Sequence, residues 1–228
     1  MIPVYCFSGS GHSRAVADFL AEELRGTVVP IGTKPASPDK KTAAVVFPVY
    51  CQNLPEPVRV FLTGLEAEHV LLVAVYGGYS YGNVLREAAG LLHGAVIAAA
   101  CVPTGHTFLS EPAAFDRDVL KKLAGQVGRA APATLPRGRK NPFANLFPAF
   151  RSRIGVKIQR RRQCGECGRC AALCPVGAMR QNGVPGSHCI RCLRCVSVCP
   201  EGALRFRNGW FLRLYLRLAR RKKTADLF

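Results

Sequence analysis

Short apolar runs alternate with helical patterns from Met1 to Ala130. Val4 to Phe7, Thr27 to Pro30, Ala43 to Val49, Val70 to Tyr76 and Ala95 to Cys101 are β-branched or aliphatic runs of strand length. Between the first two, Ser13 to Arg25 puts Val16, Phe19, Leu20 and Leu24 on one helical face, and Gly26 follows as a stop. Further helices are predicted over Pro57 to Leu65, Tyr81 to Leu92 and Phe115 to Arg129. Strands and helices in this alternation form βα units, so the expected fold class is α/β, with a doubly wound parallel sheet of five strands.

The pattern fades after Ala130. Residues 130 to 142 show no sustained period and carry Pro132, Pro136 and Pro142, which reads as a linker. Phe143, Leu146, Phe147, Phe150 and Ile154 then recur at helical spacing, with Pro148 starting or kinking that helix. From Trp210 to Lys223 a second amphipathic helix is expected, with Phe211, Leu214, Tyr215 and Leu218 apolar and Arg213, Arg217 and Arg220 in a basic stripe. The expected divisions are 1–130, a linker and amphipathic segment at 131–159, a cysteine-rich domain at 160–206, and a basic helix at 207–228.

Eight of the 11 cysteines crowd between Cys164 and Cys199. The spacing of Cys164, Cys167, Cys170 and Cys174 is repeated in Cys189, Cys192, Cys195 and Cys199, and Pro175 and Pro200 follow the fourth cysteine of each run. A secreted disulfide scaffold would bring a leader and a short chain, and neither is seen. No stretch reaches the roughly 18 apolar residues of a membrane span. A reducing cytoplasm is therefore the expected location. Charge divides the chain at the same place: residues 1–130 hold 11 Lys/Arg and 11 Asp/Glu, whereas 131–228 hold 21 against 3, which is the whole net charge of +18.

Thiolates are soft ligands, and three of them, each separated from the next by two residues, can wrap one face of a cubane from a single loop. Structural zinc would need only paired Cys-x-x-Cys, and disulfides would need no such repeat. Residues 160 to 206 resemble the bacterial two-cluster ferredoxin module, matching both runs and both prolines. That resemblance implies two [4Fe-4S] clusters with crossed ligation, one on Cys164, Cys167, Cys170 and Cys199, the other on Cys189, Cys192, Cys195 and Cys174. It departs from the usual module in charge, since Arg160, Arg161, Arg162, Arg169, Arg180, Arg191 and Arg194 flank the ligands. Positive charge there should raise the cluster potential.

After the first strand stands Ser8-Gly9-Ser10-Gly11-His12-Ser13, a loop able to offer hydroxyls and backbone N–H groups to one phosphate. It lacks the Gly-Lys-Ser/Thr of a Walker loop and the third glycine of a dinucleotide loop. The segment resembles flavodoxin over roughly residues 1 to 128, through this loop, Phe47 to Tyr50, and Gly77 to Gly82, with His12 where Asn is more usual. FMN binding is what that resemblance implies, with Tyr50, Tyr79 and Tyr81 as candidates against the ring and Pro103 to Phe108 as a third wall. The whole chain is similar to the flavodoxin–ferredoxin fusion proteins called ferrodoxins. A Ser-capped helix in a flavin-free domain remains the structural alternative.

Cys6, Cys51 and Cys101 read as strand residues, Cys51 lying nearest the flavin loops; His106 and His188 read as loop residues. Electron relay between clusters and flavin is the expected function. A flavin-dependent oxidoreductase subunit acting on a small substrate, and a cluster-containing sensor without flavin, are the alternatives. The basic part points to an acidic redox protein as partner or to peripheral contact with an anionic membrane; for the last helix, docking on Phe147 and Phe150 competes with both. Nucleic acid is disfavoured, because no base-reading motif accompanies the charge.

Overall fold

Apolar runs with no polar face become the inner strands of one sheet. Its parallel strands are β1 (Pro3–Cys6), β2 (Thr27–Pro30), β3 (Thr42–Pro48), β4 (His69–Tyr76) and β5 (Ala95–Pro103), in the order β2-β1-β3-β4-β5. The structure, a computed structural model, describes residues 1–32, 41–129, 131–138, 154–219 and 224–228. It divides into two units: Met1–Ser8, His12–Ala144 and Arg221–Phe228 form the first, and Gly9–Gly11 with Asn145–Arg220 form the second.

Both faces of the first unit's sheet are covered, which is why residues 43–47 and 70–74 are all fully buried. On one face lie α1 (His12–Glu23) and, from the later half of the unit, α4 (Arg117–Ala124). Val16 and Leu20 of α1 and Leu120 and Leu123 of α4 share a core cluster with Val4, Val46, Val73 and Ile97. The opposite face takes α2 (Glu56–Thr63), whose Phe61 ring packs 4.8 Å from that of Tyr5. A short α3 (Val84–Ala89) follows β4. Each fully buried Leu here contributes on the order of 1.5–3 kcal/mol. The outer strand β2 is largely exposed, and Pro30 ends it where no further neighbour needs an N–H.

The sheet has six strands, not the expected five. In the second unit, β6 (Val156–Arg160) pairs antiparallel with β7 (Leu204–Asn208); after them β8 (Asp226–Leu227) lies antiparallel on β5. Ala99 and Phe228 exchange backbone hydrogen bonds of 3.0 and 2.8 Å beside it. So short a strand carries no readable period, and the open edge of β5 supplies the pairing. The expected helix from Trp210 accordingly stops early, as α7 (Trp210–Leu218). Within residues 131–138, the Ala133 N–H donates to the Val96 carbonyl at 2.8 Å.

Alternation makes the β6–β7 pair. Val156 and Leu204 are buried, while Lys157, Gln159, Arg205 and Arg207 are exposed. The strand β6 falls inside the segment read as linker and helix, so the cysteine-rich unit begins before Arg160. Phe143, Leu146, Phe147 and Phe150, the helix expected on them, and Arg220 to Lys223 lie outside the described residues.

Candidate functional site

The repeat of cysteines is also a repeat of backbone. Glu166 and Arg191 take φ of 53° and 57°, Gly168 and Leu193 take 71° and 62°, and Gly177 and Gly202 take 59° and 55°. The members of each pair hold the same place in the two cysteine runs. Left-handed φ at a glutamate, an arginine and a leucine costs about 1–3 kcal/mol each, and such strain collects where a loop must wrap something. Each loop then enters one helical turn, α5 (Arg169–Ala172) or α6 (Arg194–Ser197). The closing hydrogen bonds repeat as well: Gly177 N–H to Cys174 O at 3.1 Å, and Gly202 N–H to Cys199 O at 3.2 Å.

One cavity brings the two runs together. Cys164, Cys167, Cys170 and Cys199 all line it, beside Glu166 and Arg169. In the second loop, burial pushes the Cys192 thiol up to about 11, with the neighbouring Cys189 and Cys174 adding to the rise. Burial likewise pushes Cys195 up to about 12, helped by Cys192 and Cys189. Cys174, from the first run, is close enough to Cys192 to add to the rise there, and its Sγ accepts the Ala178 N–H at 3.2 Å. Among the described residues no three Cys, His, Asp or Glu converge on a point suited to a single ion. A [4Fe-4S] cubane takes four thiolates spread around its inorganic core, and four cysteines line this one cavity.

A partly buried cation gives a further measure of fit. Arg191 Nε and Nη1 are buried with no hydrogen-bond partner among the described residues. Such a guanidinium is costly unless something anionic faces it, and it stands immediately before Cys192. Elsewhere, Arg160 pairs with Glu166 at 2.8 Å and donates to the Asn182 carbonyl at 3.1 Å. Arg160 and Arg161 join Arg205 and Arg207 around an open groove on the β6–β7 pair. The flanking arginines are therefore spread over several surfaces and do not all ring the ligands.

In the first unit the loops at the carboxyl ends of the strands close on one another. Ser8 Oγ accepts the Arg14 N–H at 3.2 Å, capping α1, and Ser13 is buried. His12 Nε2 lies 2.9 Å from the Glu111 carbonyl and Nδ1 3.2 Å from Thr107 Oγ1, so the imidazole engages the segment after β5. Tyr50 opens a turn closed on Asn53, with Cys51 and Gln52 at φ of 51° and 65°. A Cβ on Gly82 would meet Gln52, and one on Gly77 would meet His106. The Tyr79 ring meets the His106 ring edge-on at 5.1 Å. The Tyr81 hydroxyl donates to Asp226 at 3.2 Å and its ring packs 5.3 Å from Tyr76. Gly9, Ser10 and Gly11 group with the second unit.

Sequence reasoning missed Leu193, the partial burial of Arg191 and the His12–Thr107–Glu111 contacts. Only the first had a signal, since the repeat aligns Leu193 with Gly168.

The family described as 4Fe-4S binding domain matches residues 186–205, the second cysteine loop and the start of β7. That match supports a [4Fe-4S] cluster on the Cys189–Cys199 stretch and iron–sulfur electron transfer as its chemistry. No curated protein matches the chain. Among solved structures, it is similar to a chain described as a "putative flavoprotein" from Bacteroides eggerthii, with 16% identity, 53% of this chain and 93% of that one covered, and a TM-score of 0.39. Among the described residues no helix is long and apolar enough to cross a membrane.

Proposed function

We propose that this protein carries electrons on two [4Fe-4S] clusters, bound in crossed fashion. Cys164, Cys167, Cys170 and Cys199 hold one, and Cys189, Cys192, Cys195 and Cys174 hold the other. The observation that carries the reading is the cavity lined jointly by three cysteines of the first run and the fourth of the second. The duplicated left-handed backbone supports two equivalent loops. When bound, each cluster supplies a one-electron store. The chain contributes the thiols, which give up their protons and would bind iron as thiolates, and the Ala178 N–H to Cys174 Sγ, which draws charge off that ligand. Arg191 and Arg169 add positive charge that favours the reduced state. The thiol requirement fits a reducing, cytoplasmic setting.

The same proposal places FMN in the first unit. The order β2-β1-β3-β4-β5 is that of flavodoxin-like doubly wound sheets, which bind FMN where the order reverses between β1 and β3. Ser8, Gly9, Ser10, Gly11, His12 and Ser13 would hold the phosphate, with Tyr50 and Tyr79 against the ring. Tyr81, whose hydroxyl donates to Asp226, is the third candidate against the ring. FMN would supply a two-electron store beside the one-electron clusters.

An acidic redox protein is the proposed partner. On the β6–β7 pair, exposed Lys157 stands directly opposite exposed Arg207, with exposed Arg205 on the same face. Like charges directly opposite are destabilising, and an acidic surface would offset them. Anaerobic purification with iron, sulfide and flavin analysis tests the proposal. About eight irons and one FMN per chain are expected. Half that iron overturns the two-cluster reading, and protein without flavin overturns the FMN reading alone.

A further inference from the structure

We propose that α7 is an interfacial helix that docks the protein on an anionic lipid surface. The helix presents its apolar residues to solvent. Trp210 is 75% exposed, Phe211 70%, Leu214 47% and Leu218 77%. At about 100° per residue these four fall in one arc of roughly 100°, with the half-exposed Tyr215 at its edge. The opposite side faces the protein: Leu216 is buried, and the Leu212 side chain lies against Gly155. Its inward side thus accounts for Leu212 and Leu216, and among the described residues the outer arc of large apolar groups is left exposed.

Charge decides which occupant fits. Arg213 and Arg217 lie one turn apart along one flank of that arc, both exposed. Arg220, Arg221, Lys222 and Lys223 follow in sequence, and Asp226 is the one acid after Glu201. A Trp and Phe face bordered by arginines is the composition that settles at the headgroup boundary, aromatic rings among acyl chains and cations among anionic phosphates. The helix is about 13 Å long, too short to span a bilayer and suited to lying in its plane. A second copy of the chain would bring the same arginines face to face, which electrostatics opposes.

The test uses the iron-loaded protein and flotation with vesicles of phosphatidylcholine, alone or mixed with phosphatidylglycerol. Binding to the mixed vesicles is expected, at least about tenfold stronger than to phosphatidylcholine alone and weakened by salt. Phe211→Ser with Leu214→Ser should weaken it by at least about tenfold, as should Arg213→Glu with Arg217→Glu. All four side chains are exposed, so the fold should be kept, which circular dichroism and iron content check on the same samples. Iron content also separates this result from the cluster assignment. Trp210, the only tryptophan, should shift its emission to the blue on binding. Undiminished binding by the Phe211/Leu214 variant overturns the proposal. So does Trp210 emission already blue and indifferent to vesicles, which would put the chain's own residues over the face. Dimers that dissociate in the Phe211/Leu214 variant, or capture by an acidic protein carrier without lipid binding, overturn it equally.

Discussion

Deleting residues 224–228 removes β8 and leaves the edge of β5 open. The losses can be counted from the structure. Two backbone hydrogen bonds join Ala99 and Phe228, at 3.0 and 2.8 Å, each worth about 1 kcal/mol net. The Tyr81 hydroxyl loses its carboxylate acceptor at 3.2 Å, worth roughly 1.5 kcal/mol, and the half-buried Leu227 leaves the core cluster at about 1 kcal/mol. Against these stands the ordering of Asp226, Leu227 and Phe228, roughly 1 kcal/mol or more apiece. The net loss is about 1–2 kcal/mol, a fall of roughly 2–6 °C in melting temperature for a chain of this size. The alkaline limb carries a second signature. Burial, then Cys101 and Asp226, push the Tyr81 phenol up to about 12. A folded value above the unfolded one means that stability is full below about pH 10 and falls as pH rises toward about 12. Without Asp226 that fall begins from a lower folded value, and the alkaline window narrows. Thermal unfolding followed by circular dichroism at neutral and alkaline pH, with iron assayed in parallel, measures both. An unchanged midpoint, or loss of iron with the deleted tail, would refute the reasoning.

Three further outcomes are expected. Alkylation of the iron-loaded protein should label Cys51, which is exposed, and spare Cys6 and Cys101, which are buried; mass spectrometry after digestion reads this directly. Reversing Arg205 and Arg207 to Glu should slow electron exchange with an acidic carrier severalfold at low salt and remove most of its salt dependence, as stopped-flow rates would show. Arg191→Met should lower the potential of the cluster beside Cys192 in a redox titration while leaving iron content unchanged, and an unmoved potential would mean the guanidinium faces something else.

Legibility in the sequence followed how local each cause was. The strands β3 and β4 were readable because a run buried on both faces is apolar throughout. Strand β6 was not, because the alternation of Val156 and Ile158 with Lys157 and Gln159 lies in the wake of a helical spacing that ends at Ile154, and its partner β7 lies beyond the whole cysteine repeat. Strand β8 is shorter than any period. The Tyr81 hydroxyl bond to Asp226 was not legible, because the two residues lie far apart along the chain. The cysteine repeat and its duplicated loop backbone were legible because the spacing that marks them is local. The arginines beside them were legible as charge but not as geometry, since Arg160 turns to Glu166 and Asn182 while two guanidinium nitrogens of Arg191 are buried.

Crossed ligation is tested most directly by replacing one fourth cysteine at a time and recording iron content with low-temperature EPR of the reduced protein. With Cys199→Ser, the cluster on Cys164, Cys167 and Cys170 should be lost or altered while the one beside Cys192 keeps its spectrum, and Cys174→Ser should do the reverse. If instead each replacement damages the cluster of its own run, the two loops bind independently and the account of this site is wrong.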